Sequence, residues 1–273
     1  MSGHWFFASG CMHSHLLHGA CKVFDGDTPR LRPNGDQDIR IAFFYPKSTV
    51  RIIDTWNVER PARHRQPRHR RGGSASCRRS ARSRRMDRRA RVTGPMNRMH
   101  GFDLAGCGFC CVGLGVARAA IDAASSSWPP AKIPRSSSDL LRERVMVQAQ
   151  VGEAEALLRA GRALLFDVVE EMWETAPWPR SVISERLRSD LRLAMTHAAQ
   201  SAAKATHMVC ARAGTTSIFA SSPLERFARD AEVVTRHNQL QFVNYEAAGR
   251  TLMGLESNSP LFLGGHEMAP RIP

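Results

Sequence analysis

At 273 residues and 42% apolar content, the chain is long enough for one large domain or two ordinary ones, and apolar enough to build a core. A net charge of +14 would point to a nucleic-acid partner, but 14 arginines and a single acid (Asp87) lie between Arg60 and Arg91. The remaining 25 basic and 24 acidic residues leave a net +1 elsewhere, which excludes a protein basic over its whole surface and argues against nucleic acid as the partner.

Residues 1–58 alternate and are rich in Phe, Val, Ile and Thr, with turn signals at Asp25-Gly26-Asp27 and Pro33-Asn34-Gly35-Asp36. That pattern predicts short strands at Trp5–Ala8, Gly19–Phe24, Ile39–Phe44 and Val50–Thr55. No secretion signal is expected at Met1–Trp5, which has neither a basic nor an apolar region. His13, His15 and His18 lack the Cys or carboxylate spacing that would complete a metal site, so no metal is expected. Residues 59–93 have no hydrophobic period and repeat Arg-Arg pairs, and by composition they read as disordered.

Five helical stretches follow. Phe102–Ala124 carries Gly, Ala and Cys faces suited to close packing, and its apolar run Leu104–Ala117 is too short to cross a bilayer. Ser125–Ser138, with three prolines, reads as a loop. Ser138-Asp139 is expected to cap the next helix, the long amphipathic stretch Val145–Trp173, whose buried side is expected to include Val147, Val151, Ala154, Leu158, Leu165, Val168 and Val169. A third helix runs from Ser181 to about Ala211, a fourth opens at Pro223, a favoured first helical position, and Tyr245–Leu255 closes the series. The tail from Ser257 lacks periodicity. The seven cysteines, Cys107-x-x-Cys110-Cys111 among them, are odd in number and scattered, which fits reduced, buried thiols in a cytoplasmic protein.

Between the third and fourth helices lies Gly214-x-Thr216-Ser217-Ile218-x-x-x-Ser222-Pro223-Leu224-Glu225-Arg226-x-x-Arg229-Asp230, followed by His237. Its hydroxyls and helix-start amides suit a phosphate, and equally an ordinary capped helix–loop–helix joint. The pattern resembles the last-helices signature of the acyl-CoA dehydrogenase superfamily, closest to its flavin-dependent aromatic hydroxylases, the oxygenase halves of two-component monooxygenases. Gly3-x-Trp5-x-Phe7-Ala8-Ser9-Gly10 and Ile52-Ile53-Asp54-Thr55-Trp56-Asn57-Val58 are similar to two landmarks of that superfamily's middle β-domain.

The resemblance gives the arginines an origin. After the Trp56 landmark, relatives continue Gly-Leu-Arg-Gly-Thr-Gly-Ser-His-Asp. Residues Arg60–His69 can be written CGG CCT GCG CGG CAC CGG CAG CCA CGA CAY, and a one-base shift turns this into GGC CTG CGC GGC ACC GGC AGC CAC GAC, which encodes those nine residues in order. The reading therefore leaves the ancestral frame near Val58 and regains it by about Gly94, through a shift either in the gene or in its sequencing, so the Arg excess is GC-rich DNA read out of frame. Resequencing the gene tests this: DNA without the hidden reading would end the account.

What the resemblance implies is a mainly α chain with a partial β-domain: 1–58 a remnant of the middle β-barrel domain, 59–93 an Arg-rich insert, 94–256 a four-helix bundle, and 257–273 a tail. Relatives carry a further N-terminal helical domain that is not seen here. Dehydrogenases of the superfamily use a Glu in a Tyr-Glu-Gly-Thr motif just after the Arg-Asp pair. Here Ala231–Asn238 has no such motif, and His237 stands in its neighbourhood. The implied activity is hydroxylation of a phenolic or other aromatic substrate with reduced FMN from a partner flavin reductase. His237 would be catalytic, with Trp5, Ser9, Arg144, Gly214, Ser217, Ser221 and Ser222 around the flavin, in a cytoplasmic homotetramer without membrane contact. The alternatives are an FAD-dependent acyl-CoA dehydrogenase and, from another class, a non-catalytic helical assembly module or Arg-rich nucleic-acid binder.

Overall fold

The computed structural model describes residues 3–5, 8–33, 35, 37–53, 68–71, 96, 99, 101–126, 133, 138–175 and 183–256. The chain forms two units, Met1–Arg89 with Ala269–Pro273, and Ala90–Met268.

The first unit is built of strands β1 (Gly3–Trp5), β2 (Leu16–Lys22), β3 (Phe24–Asp25), β4 (Thr28–Pro29), β5 (Ile39–Pro46), β6 (Arg51–Ile53) and β7 (Arg68–Arg71). They make three small antiparallel sheets: β1-β7-β6, β2-β5 and β3-β4. The turn signal at Gly26 closes β3 on β4, with the glycine at φ +64°, a backbone region costly for other residues. Gly19 answers a different need. A Cβ there would come within 2.6 Å of the Trp5 Nε1, which donates to the Ala20 carbonyl at 2.9 Å. Among the described residues of this unit, Cys11 and Leu17 are the buried apolar ones, with Ala8, Val50 and Ile52 packed on them.

The sheet also reaches into the stretch whose composition suggests disorder, since Arg68–Arg71 lies between β1 and β6. The reason is that ladder hydrogen bonds run between backbone groups, which arginine supplies as well as valine does. Residues 54–67, 72–93 and 257–273 lie outside the described residues, as do most of the Trp56 landmark and the proline-rich 127–132 and 134–137.

The second unit is helical: α1 (Gly101–Ser126), α2 (Val145–Thr175), α3 (Glu185–Arg212), α4 (Pro223–Thr235) and α5 (Asn244–Leu252). α3 is the hub and packs against all four others. It runs antiparallel to α2, with Arg186 near Glu171 at one end and Lys204 Nζ 3.3 Å from Glu153 towards the other. It runs parallel to α1, with Asp103 against Arg192 early and Gly113 beside Ala202 later. Close approach depends on small residues: Ala194, Ala198, Ala199, Ala202 and Ala205 are buried on α3, and a Cβ on Gly161 would meet the Ala198 Cα at 3.1 Å.

The buried face of α2 is Ala154, Leu158, Gly161, Leu165, Val168 and Met172, largely the period read from the sequence. Two boundaries differ. A 3-10 turn at Leu141–Glu143 precedes α2, and the Leu140 amide donates to the Glu143 carboxylate at 3.1 Å. α3 starts at Glu185 under a Ser184 cap that accepts from the Leu187 amide at 3.1 Å. The bundle is built of the three long helices and the 13-residue α4, and the chain breaks into tight turns after Thr235 before the nine-residue α5.

α1 is also longer than its central apolar run. Asp103–Ser125 is long and apolar enough, by length and composition alone, to cross a membrane. One face of it, Cys110, Leu114, Ala117 and Ile121, is buried in the bundle core.

Candidate functional site

The joint between α3 and α4 begins with Gly214 at φ +62° and a 3-10 turn over Gly214–Ile218. Its hydroxyls are partly committed within the chain: Ser217 donates to the Gly214 carbonyl at 2.8 Å, and Ser222 caps α4 by accepting from the Leu224 amide at 3.3 Å. Ser221 is exposed, as are Ile218 and Phe219. The antiparallel course of α2 and α3 puts Arg144, just before α2, at this same end of the bundle. Arg144 is exposed and makes no ion pair among the described residues.

His237 sits at the far end of α4, about 20 Å from Ser222 at the usual helical rise. It lies in a turn, its amide donating to the Val234 carbonyl at 3.2 Å and its carbonyl accepting from the Leu240 amide at 2.8 Å. The Gln239 amide donates to its Nδ1 at 3.4 Å. Its ring rests on Phe109 of α1, centroids 4.2 Å apart. Burial, and then the nearby Arg192 guanidinium, hold its pKa below the ordinary imidazole range.

Near it is a buried charged pair. Arg192 of α3, 2% exposed, donates from Nη2 to Asp103 Oδ1 of α1 at 3.0 Å. Cys107 Sγ lies 3.7 Å from Met195 Sδ, and a Cβ on Gly106 would strike that sulfur at 2.8 Å. Burial pushes the Cys107 thiol up to about 11, and the Cys110 thiol further in the same direction. Both stay protonated near neutrality, which makes them packing groups rather than nucleophiles or metal ligands. Among the described residues no group of three or more His, Cys, Asp or Glu is placed to hold a metal.

In the β unit, Trp5 is spent on Gly19 and Ala20, and Ser9 is exposed in the turn that Gly10 closes at φ +78°. The structure thus groups Arg144, Gly214, Ser217, Ser221 and Ser222 at one bundle end and sets His237 apart from them. Phe109, Asp103, Arg192 and Gln239 are the residues that sequence reasoning missed. The one available signal was an arginine at a position where the α3 period calls for an apolar residue, between Leu191 and Ala194.

Residues 107–242 match the family model for the acyl-CoA dehydrogenase C-terminal domain. An indole-3-acetate monooxygenase of Pseudomonas putida is 31% identical over 272 residues, covering 93% of this chain and 62% of that protein. The chain therefore spans about three fifths of that relative's length. Among solved structures, the 3-HSA hydroxylase from Rhodococcus sp. RHA1 aligns with a TM-score of 0.76 at 19% identity, over 95% of this chain and 66% of its own. XiaF from Streptomyces sp., in complex with FADH2 and glycerol, aligns with a TM-score of 0.74 at 16% identity, over 95% of this chain and 65% of its own. The two structural likenesses establish a shared fold.

Proposed function

We propose a function from one premise: the helical unit of this chain belongs to the acyl-CoA dehydrogenase superfamily, and its site is that of a monooxygenase rather than a dehydrogenase. The observation that carries the reading is the setting of His237. Where the dehydrogenase motif would bring a Glu, the chain presents an imidazole bound at Nδ1 by a backbone amide and backed by Phe109. The only carboxylate of α4's last turn, Glu232, is paired on the surface with Arg236 and, at 3.4 Å, with His207 Nε2. A carboxylate held that way is a poor base for an acyl-CoA α-proton.

The residues present fit a flavin in kind. Phe109 and Val112 are exposed apolar residues one turn apart on α1, and Phe109 lies against His237, a surface that suits a flat aromatic ring. Arg144 is a cation without an ion pair among the described residues, suited to a phosphate. Ser217 and Ser222 contribute less than their number suggests, because their hydroxyls already serve the chain. Reduced flavin supplies the electrons that activate oxygen for hydroxylation. In this reading it is FMN delivered by a separate reductase, the substrate is a phenol or other aromatic, and the assembly is a cytoplasmic homotetramer. His237 stays neutral near pH 7 and donates a hydrogen bond from Nε2, holding a proton where oxygen chemistry needs one.

The test uses the chain as it stands. Oxygen uptake that requires reduced flavin and an indole or phenol supports the proposal. Acceptor reduction with an acyl-CoA instead would favour dehydrogenation, and protein that stays colourless with FMN and FAD would count against both.

A further inference from the structure

A buried ion pair is a poor way to stabilise a bundle, because removing two charges from water costs about as much as their attraction returns. Asp103 and Arg192 are nonetheless buried together, 89 positions apart in sequence, and Arg192 is close enough to act on the half-buried His237. Arg192 of α3, held by Asp103 of α1, is the charged group that acts on it, and Phe109 of α1 and the Gln239 amide are in contact with it. On its own segment, Arg236 is exposed and engaged with Glu232. We infer that the Asp103–Arg192 pair and the Gln239 amide act together as a positioning device that fixes His237 as neutral imidazole, protonated on Nε2 alone.

Two constraints act on different atoms. The Gln239 amide cannot accept, so a proton on Nδ1 would set N–H against N–H across their 3.4 Å contact. A second proton anywhere on the ring would add a cation beside the Arg192 guanidinium, which Asp103 holds in place. His237 therefore offers a donor at Nε2 whatever approaches it. Arg192 and Asp103 work through His237 and are positioning residues, not catalytic ones. The inference depends on the monooxygenase proposal only for what His237 is used for.

The experiment is a long-range proton–nitrogen NMR titration of the histidine-labelled chain between about pH 5 and 8, with no flavin added. His237→Gln identifies the signal by its loss. The expected result is an unprotonated Nδ1 and a protonated Nε2 at neutral pH. The midpoint should move up in Arg192→Met, which removes the cation, and down in Asp103→Asn, which leaves it unbalanced. An Nδ1–H tautomer in the parent chain overturns the inference, and needs no variant to be seen. So does a midpoint that stays put in whichever of the two variants keeps its helical circular dichroism. If the tautomer is found and no flavin-dependent oxygen uptake is seen, the inference stands and the proposed activity falls; the reverse outcome separates them equally.

Discussion

In the helical unit, α1, α2 and α3 bring Ile121, Leu158, Leu165, Met172, Leu187, Leu191 and Met195 into one continuous buried cluster. In the β unit, the described core is Cys11 and Leu17 with three partly buried neighbours. The difference lies in where each unit finds its hydrogen bonds. A helix satisfies its backbone from residues four apart, so α1 to α5 need only contiguous sequence and an apolar face. A strand needs a partner from elsewhere, and β1 at residues 3–5 finds it at residues 68–71, inside the arginine-rich stretch. A change of sequence in that stretch therefore touches a partner of the β1-β7-β6 sheet while leaving every intrahelical bond untouched.

Four substitutions or titrations break or sharpen this contrast, the largest effect first. Leu191→Ala removes a side chain 1% exposed in the bundle core. It should cost about 2–5 kcal/mol, read as a lower urea midpoint by circular dichroism; a loss under about 1 kcal/mol would mean that the core is not continuous there. Gly19→Ala drives a methyl into the Trp5 indole and should cost about 1–3 kcal/mol. Its marker is the Trp5 Nε1–H resonance, which should shift as the bond to Ala20 is lost; an unmoved signal would contradict the packing described. Ser184→Ala removes the α3 cap for about 1 kcal/mol, again by urea melt, and a neutral result would place the helix start elsewhere.

The smallest effect is electrostatic. His237 has a folded pKa below its unfolded value, so between the two the unfolded chain binds more protons, and stability rises with pH. This contribution is complete above the unfolded pKa and is lost as pH falls from about 6.5 towards the folded value. Urea midpoints measured across that range should slope less steeply in His237→Gln than in the parent chain, and parallel slopes would refute the assignment.

Much of this was legible beforehand. The spacing of Leu158, Leu165 and Val168 on α2 gave both its length and its inner face, because helical period is a property of neighbouring residues. Pro223 marked the start of α4, and Gly26 the β3–β4 turn. The Tyr245–Leu255 stretch was read as completing a bundle of long helices, whereas α5 is nine residues, since nothing local distinguishes a helix from the run of tight turns at 236–243 that precedes it. The site was legible only in pieces. His237 and the 214–222 loop stood out by pattern, yet their separation by the length of α4 did not.

Sequence by itself determined where the charge sits, which stretches are helical and which superfamily the helices resemble, since each of those depends on residues close together in the chain. Tertiary structure alone decided that Arg192 would meet Asp103, that Phe109 would lie under His237, and that Trp5 would leave room only for glycine at position 19. Those contacts depend on how helices cross and strands pair, and packing at that range is set by the whole set of buried shapes rather than by any local period.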